Sequence, residues 1–268
     1  MLTTDYKDGA PNWVDVTAPD IARAAGFYRE LFGWEFHQGG EEIDGYGTFR
    51  LYGSRVAGGM TLPEDAAAEA SWTVYFQSRD ADATTAAAMR AGGAVLIAPM
   101  DVADHGRAAV LTDPAGIAFG IWQPGRTKGL DAVVDRGALS WTELYTPDVA
   151  GAAGFYGAVL GWQITEAELE GGTYTFARPA GSAPTADTGF GGIVSVHADP
   201  AEDTGRPYWT PYFEVADCDA TAAHAEELGG KVRLTPVSME GAGRFAKLAD
   251  PNGARFAVIA TATPQAGP

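Results

Sequence analysis

The spacing of apolar residues changes period within the first forty positions. Trp13-Val-Asp-Val-Thr17 alternates and is rich in strand formers, so it predicts a β-strand. Ala18-Pro19-Asp20 interrupts it, with Asp20 placed to cap a helix. Ile21, Ala24, Ala25, Tyr28, Leu31 and Phe32 then recur at helical spacing, and Gly33 supplies the stop. Short strands are predicted near 35–37, 46–52 and 55–60, separated by glycine-bearing turns. The cycle then restarts. Residues 72–77 predict a strand and 81–91 an alanine-rich helix closed by Gly92-Gly93. Strands near 95–98, 108–112 and 118–122 complete it, the last two joined by an Asp-Pro-Ala-Gly turn.

This pattern is written twice. Laid over 141–162, residues 13–34 agree at eleven of twenty-two positions, an offset of 128 (Trp13 to Trp141). The segment GFYRELFGW returns as GFYGAVLGW. Similarity resumes at an offset of 137 (Trp72 to Trp209): SWTVYFQSRDADAT matches YWTPYFEVADCDAT, and TDPAGIAF matches ADPNGARF. A repeat this long is a domain rather than a solenoid unit. The expected organisation is one domain over 10–125, a polar linker over 126–136 and a second domain over 137–262. The GFY…GW segment is expected to be a packing element that sets one helix against one sheet, twice.

Composition narrows the function. Of the 268 residues, 35 are Asp or Glu and 18 are Lys or Arg, for a net charge of -17. Such an excess repels phosphate backbones and anionic lipid, so neither nucleic acid nor membrane is an expected partner, whereas a cationic small molecule is compatible. Cys218 is the only cysteine, which excludes an intrachain disulfide. With no signal-peptide pattern and no long apolar run, a cytoplasmic location is expected.

A strand, a Pro-Asp pair, a helix ending in FYxxxxGW and a later DPxG turn before a last strand, all occurring twice, resemble the vicinal oxygen chelate superfamily. That superfamily includes glyoxalase I, bleomycin-resistance proteins, fosfomycin-resistance enzymes and extradiol dioxygenases. The resemblance covers nearly the whole chain. It implies an α+β fold of two tandem glyoxalase-like domains, each made of two paired βαβββ units forming a U-shaped sheet. It also implies a ligand site in the concavity. The tandem arrangement would supply internally the pairing that single-domain relatives obtain by dimerising, so a monomer is expected.

In metal-dependent members of that superfamily, His, Gln or Glu ligands project from the inner face. The positions that align with them here hold Trp13, Thr73 and Gly120 in the first domain, and Trp141, Thr210 and Ala257 in the second. The remaining position falls near 58–60 and 191–194, where no good ligand side chain occurs. No cofactor or resident metal is therefore expected, with His197 the one weak candidate ligand.

Trp13, Trp72 and Tyr75, with Trp141, Trp209 and Tyr212, are candidates to line an aromatic cavity for a flat or cationic molecule; the alternative is that they fill the concavity as core. Asp15 and Glu143 stand two residues after Trp13 and Trp141 and so share their face; Gln77 and Glu214 are similarly paired. Asp15, Glu143 and Glu214 are candidate acid/base groups. Alternatively, the buried carboxylates pair with Arg107 or Arg244 from the matching Gly-Arg dipeptides; Gln77, Arg107 and Arg244 are also candidates to contact the ligand. Three functions remain open: a metal-free binder of an aromatic or cationic molecule; an isomerase, lyase or hydroxylase-like enzyme acting on an oxygenated small molecule by carboxylate acid/base chemistry; and, least favoured, a divalent-metal enzyme whose ligands include His197.

Overall fold

The computed structural model describes residues 2–39, 45–63, 69–169, 172–183, 188–198 and 206–262. The first domain contains β1 (Pro11–Ala18), α1 (Ile21–Phe32), β2 (Glu35–Gln38), β3 (Tyr46–Leu51) and β4 (Ser54–Thr61). It continues with β5 (Ser71–Gln77), α2 (Ala81–Arg90), β6 (Ala94–Val102), β7 (Gly106–Thr112) and β8 (Ala118–Pro124). The second repeats the series as β9 (Leu139–Thr146), α3 (Val149–Leu160), β10 (Gln163–Leu169), β11 (Gly172–Arg178) and β12 (Gly191–Ser195). Then follow β13 (Tyr208–Glu214), α4 (Cys218–Glu227), β14 (Lys231–Met239), β15 (Gly243–Ala249) and β16 (Arg255–Thr261). Among the described residues no helix is long and apolar enough to cross a membrane.

Each domain is one eight-stranded curled sheet, ordered β2-β3-β4-β1-β5-β8-β7-β6 in the first and β10-β11-β12-β9-β13-β16-β15-β14 in the second. The two βαβββ units of a domain meet where β1 pairs antiparallel with β5, and β9 with β13. Within each unit the first and last strands pair in parallel, as β1 does with β4 and β5 with β8. The helices begin at the predicted caps: Asp20 accepts from the Arg23 amide and Asp148 from the Gly151 amide. Both stop at a glycine in the left-handed conformation, Gly33 (φ 76°) and Gly161 (φ 70°).

The helices cover one face of each sheet, and there the repeat shows its purpose. One apolar core runs through both domains. The Tyr28 hydroxyl of α1 accepts from the Trp72 indole at 3.0 Å and lies 3.2 Å from Asp250, in the DPNG turn of the other domain. Tyr156 of α3 does the reverse, accepting from Trp209 at 3.4 Å and meeting Asp113, in the DPAG turn of the first domain, at 3.5 Å. The Trp34 indole donates to the Gly137 carbonyl ahead of β9, and Trp162 donates to the Gly9 carbonyl ahead of β1, both at 2.8 Å. Thus FYxxxxGW does pack its own sheet, and it also engages the DPxG turn and the first strand's lead-in of the other copy. The linker lies against the first domain: Arg55 grips Asp131 with two nitrogens, both at 2.8 Å, and Leu130 is buried.

Candidate functional site

The face of each sheet away from the helices carries the chemistry. On β1, alternation sends Val14 and Val16 toward the helices and Trp13 and Asp15 to the other face, called the open face because no helix covers it, although both side chains are buried there. Sheet register brings Trp13 level with Tyr75, Tyr75 with Gly120, and Gly120 with Val110. The Trp13 indole donates to the Tyr46 hydroxyl at 2.7 Å, and that hydroxyl lies 3.3 Å from Asp15 Oδ2. A Cβ on Gly58 would stand 2.0 Å from the Tyr46 oxygen, so glycine is needed for the tyrosine to reach across β4. Trp122 stacks on Trp13 with ring centroids 6.5 Å apart. Asp15 is 3% exposed. Burial pushes its carboxyl up to about 7, while hydrogen bonds from Tyr75 and Tyr46 pull it down by less. Burial also raises the Tyr46 and Tyr75 hydroxyls well above their ordinary value, with the Asp15 charge adding to it, so both serve as donors near neutrality.

The second domain repeats the device with a longer carboxylate. The Trp141 indole donates to the Tyr174 hydroxyl at 3.1 Å, which donates to Glu143 Oε1 at 2.6 Å. Tyr145 and Tyr212 both donate to Glu143 Oε2. Lys247 Nζ sits 4.0 Å above the Tyr145 ring. Tyr145 stacks on Tyr208 at 5.0 Å, and the Arg255 guanidinium lies 4.7 Å over Tyr208.

The structure thus brings Trp13, Asp15 and Tyr75 together, and likewise Trp141, Glu143 and Tyr212. It does not bring the other sequence candidates to them. Trp72 and Trp209 point to the opposite face, into the interdomain core, because an odd spacing from Tyr75 and Tyr212 reverses the side chain. Arg107 pairs with Asp82 and Asp101, and Arg244 with Asp219, at the surface rather than with the buried carboxylates. Gln77 donates to the Tyr6 carbonyl, and Glu214 accepts from Ser140 and from the Thr261 amide and hydroxyl, so both pin chain segments at the strand ends. His197 is exposed in a short 3-10 turn after β12. The Cys218 thiol is pushed up to about 11, chiefly by burial, which leaves it unactivated.

Sequence reasoning missed Tyr46 and Tyr174, although they keep the offset of 128 shown by the rest of the first unit. It also missed Tyr145, two residues beyond Glu143 on the same face, and Lys247, whose only sequence signal is a charge between Ala246 and Leu248 in an apolar strand.

A divalent ion does not fit these faces. The row level with Trp13 offers indole, phenol, glycine and valine, and the neighbouring carboxylates already receive hydroxyl donors. Among the described residues no three His, Cys, Asp or Glu side chains converge.

The model of the Glyoxalase-like domain matches residues 13–122, and that of the Glyoxalase/Bleomycin resistance protein/Dioxygenase superfamily matches residues 138–258. The chain is 38% identical over 274 residues to the anthracycline biosynthesis protein DauV of Streptomyces sp. (strain C5), covering 96% of this chain and 94% of that one. In fold it is similar to the Mn(II)-bound glyoxalase from Novosphingobium aromaticivorans, with a TM-score of 0.63 at 17% identity over 97% of this chain and 86% of that chain. It is similar also to the 2,3-dioxygenase LapB from Pseudomonas sp. KL28, with a TM-score of 0.60 at 16% identity over 97% and 96%. With both halves matched and a full-length relative above the level of chance, the chain belongs to the Glyoxalase/Bleomycin resistance protein/Dioxygenase superfamily.

Proposed function

We propose that this protein binds a small aromatic or cationic organic molecule on the open face of its sheets without the help of a metal. One observation carries the reading: a carboxylate held by tyrosine hydroxyls beside a tryptophan, built once at Asp15 and again at Glu143. Aromatic walls offer stacking area, and the carboxylate fixes the orientation of a polar or charged substituent. The relative's involvement in making anthracyclines, which are fused-ring aromatic molecules, supports a ligand of that general class. A screen of planar aromatic compounds, read by tryptophan fluorescence, tests this: saturable quenching is expected, and its absence across the screen contradicts the proposal. The tandem pairing supports a monomer in solution, and a sedimentation mass of twice the chain contradicts that.

A second reading rests on the Asp15 carboxyl being held near 7. A group that gains and loses a proton near neutrality can take one from an acidic C–H or O–H of a bound molecule and return it at another position. The neighbouring Tyr46 hydroxyl can stabilise the oxyanion that forms. Asp15→Asn would then abolish turnover with folding intact. Full activity in Asp15→Asn, Glu143→Gln and Glu214→Gln removes this reading.

A further inference from the structure

The two open faces share a framework but differ at the positions surrounding it. On the first, Thr17 is level with Ser71 on the neighbouring strand; on the second, Tyr145 is level with Tyr208. Val110 ends the row Trp13, Tyr75, Gly120, whereas Lys247 ends the row Trp141, Tyr212, Ala257. Ala118 opens β8 where Arg255 opens β16. At each of these four positions a small side chain in the first domain faces a large aromatic or cationic one in the second.

In the second domain those four side chains form a single stack: Lys247 over Tyr145, Tyr145 against Tyr208, and Arg255 over Tyr208. Tyr145, which donates to the Glu143 carboxylate, and Lys247 are both buried, as both carboxylates are with or without a stack. It has the composition of a complex between an aromatic cation and an acidic, tyrosine-lined pocket, made entirely from the protein's own residues. In the first domain Thr17 and Val110 are half-buried, and Ser71 and Ala118 are exposed. The framework of Trp13, Tyr46, Tyr75 and Asp15 is there without the stack.

We propose that the open face of the first domain is the ligand site, and that its ligand is a planar aromatic cation filling the place that Tyr145, Tyr208, Lys247 and Arg255 fill in the second domain. The aromatic plane takes the position of the tyrosine pair, with a polar substituent on Asp15, and the positive group lies toward Val110. Ring stacking and cation–π attraction hold the second-domain stack, and the same forces are available to a ligand. The net charge of -17 favours a cation over an anion of the same shape. The second domain is a closed copy that keeps its own side chains in the site. This inference rests on the binding function proposed above, and adds which domain binds and what charge the ligand carries.

Titration calorimetry of the full chain with proflavine, a three-ring planar cation, tests it against anthraquinone-2-sulfonate, a three-ring planar anion. One proflavine per chain is expected, with the anion binding about tenfold more weakly or not at all. Asp15→Asn and, independently, Tyr46→Phe weaken proflavine by about tenfold or more. Thr17→Tyr with Val110→Lys installs the lysine-over-tyrosine half of the stack and abolishes binding, while Tyr145→Thr with Lys247→Val opens the second face and raises the stoichiometry to two. Proflavine binding that survives Asp15→Asn but is lost in Glu143→Gln overturns the choice of domain, and tighter binding of the anion overturns the charge; either leaves the general binding function standing. No saturable binding of either probe overturns both.

Discussion

The two faces of these sheets have followed different rules. On the helix-covered face the copies match pair for pair: Phe27 with Phe155, Tyr28 with Tyr156, Trp34 with Trp162, Trp72 with Trp209, and Phe76 with Phe213. On the open face the framework matches, but Thr17, Ser71, Val110 and Ala118 stand against Tyr145, Tyr208, Lys247 and Arg255. The difference follows from what each face touches. A side chain on the covered face contacts both domains, as Trp34 does with Phe49 in its own and Phe213 in the other. A change there disturbs two cores at once. A side chain on the open face answers only to its own sheet, so the two copies could change there independently.

Cutting the chain is the strongest way to break that comparison. Separated at the linker, each half would expose Tyr28, Trp34 and Phe76 or their counterparts to water. Neither half is expected to persist as a folded monomer by circular dichroism and sedimentation; a stable monomeric half contradicts the shared core. Next in size, Trp34→Ala removes a fully buried indole and its bond to Gly137, and should destabilise by about 3–5 kcal/mol in denaturant titration. Tyr28→Phe, which takes the hydroxyl partner from Asp250 Oδ2 and from the Trp72 indole while the Asn252 and Ala254 amides still hold Oδ1, should lower stability by about 1–3 kcal/mol and leave probe binding unchanged.

The open face should respond with the opposite sign. Because burial raises the Asp15 carboxyl to about 7, the folded state holds a proton that the unfolded state has released above about 4. Its contribution to stability is therefore present at low pH and is lost as pH rises from about 4 through about 7. Asp113 and Asp250 are raised by burial too and add the same sign. Asp15→Asn is expected to raise the melting temperature at pH 8, on the order of 5 °C, while weakening binding. A lower melting temperature at that pH means that the charged carboxylate stabilises the fold. The smallest effect belongs to Arg107→Ala: its exposed ion pairs lie outside the site, and neither melting temperature nor binding should change measurably.

Most of the fold was legible because it is local and periodic. The cap at Asp20, the glycine stop at Gly33 and the alternation of β1 each follow from a few neighbouring residues. Internal repetition then established the number of domains. What periodicity could not reveal was which side chains meet across the domain boundary, since the Tyr28–Asp250 contact spans most of the chain. The site was half legible: Asp15 and Trp13 share a face by parity, whereas Trp72 was misplaced when set beside Tyr75 without counting the alternation. Lys247 reaches Tyr145 across two intervening strands, β16 and β13, a relation that exists only once the sheet order is known.

Native mass spectrometry of the untagged full chain, purified without chelators and mixed with excess proflavine, tests the account most directly. It predicts one bound probe on a chain of otherwise unmodified mass, shifting to two in the Tyr145→Thr, Lys247→Val variant. A divalent metal at near-stoichiometric mass, or two equivalent probes on the wild-type chain, would contradict it.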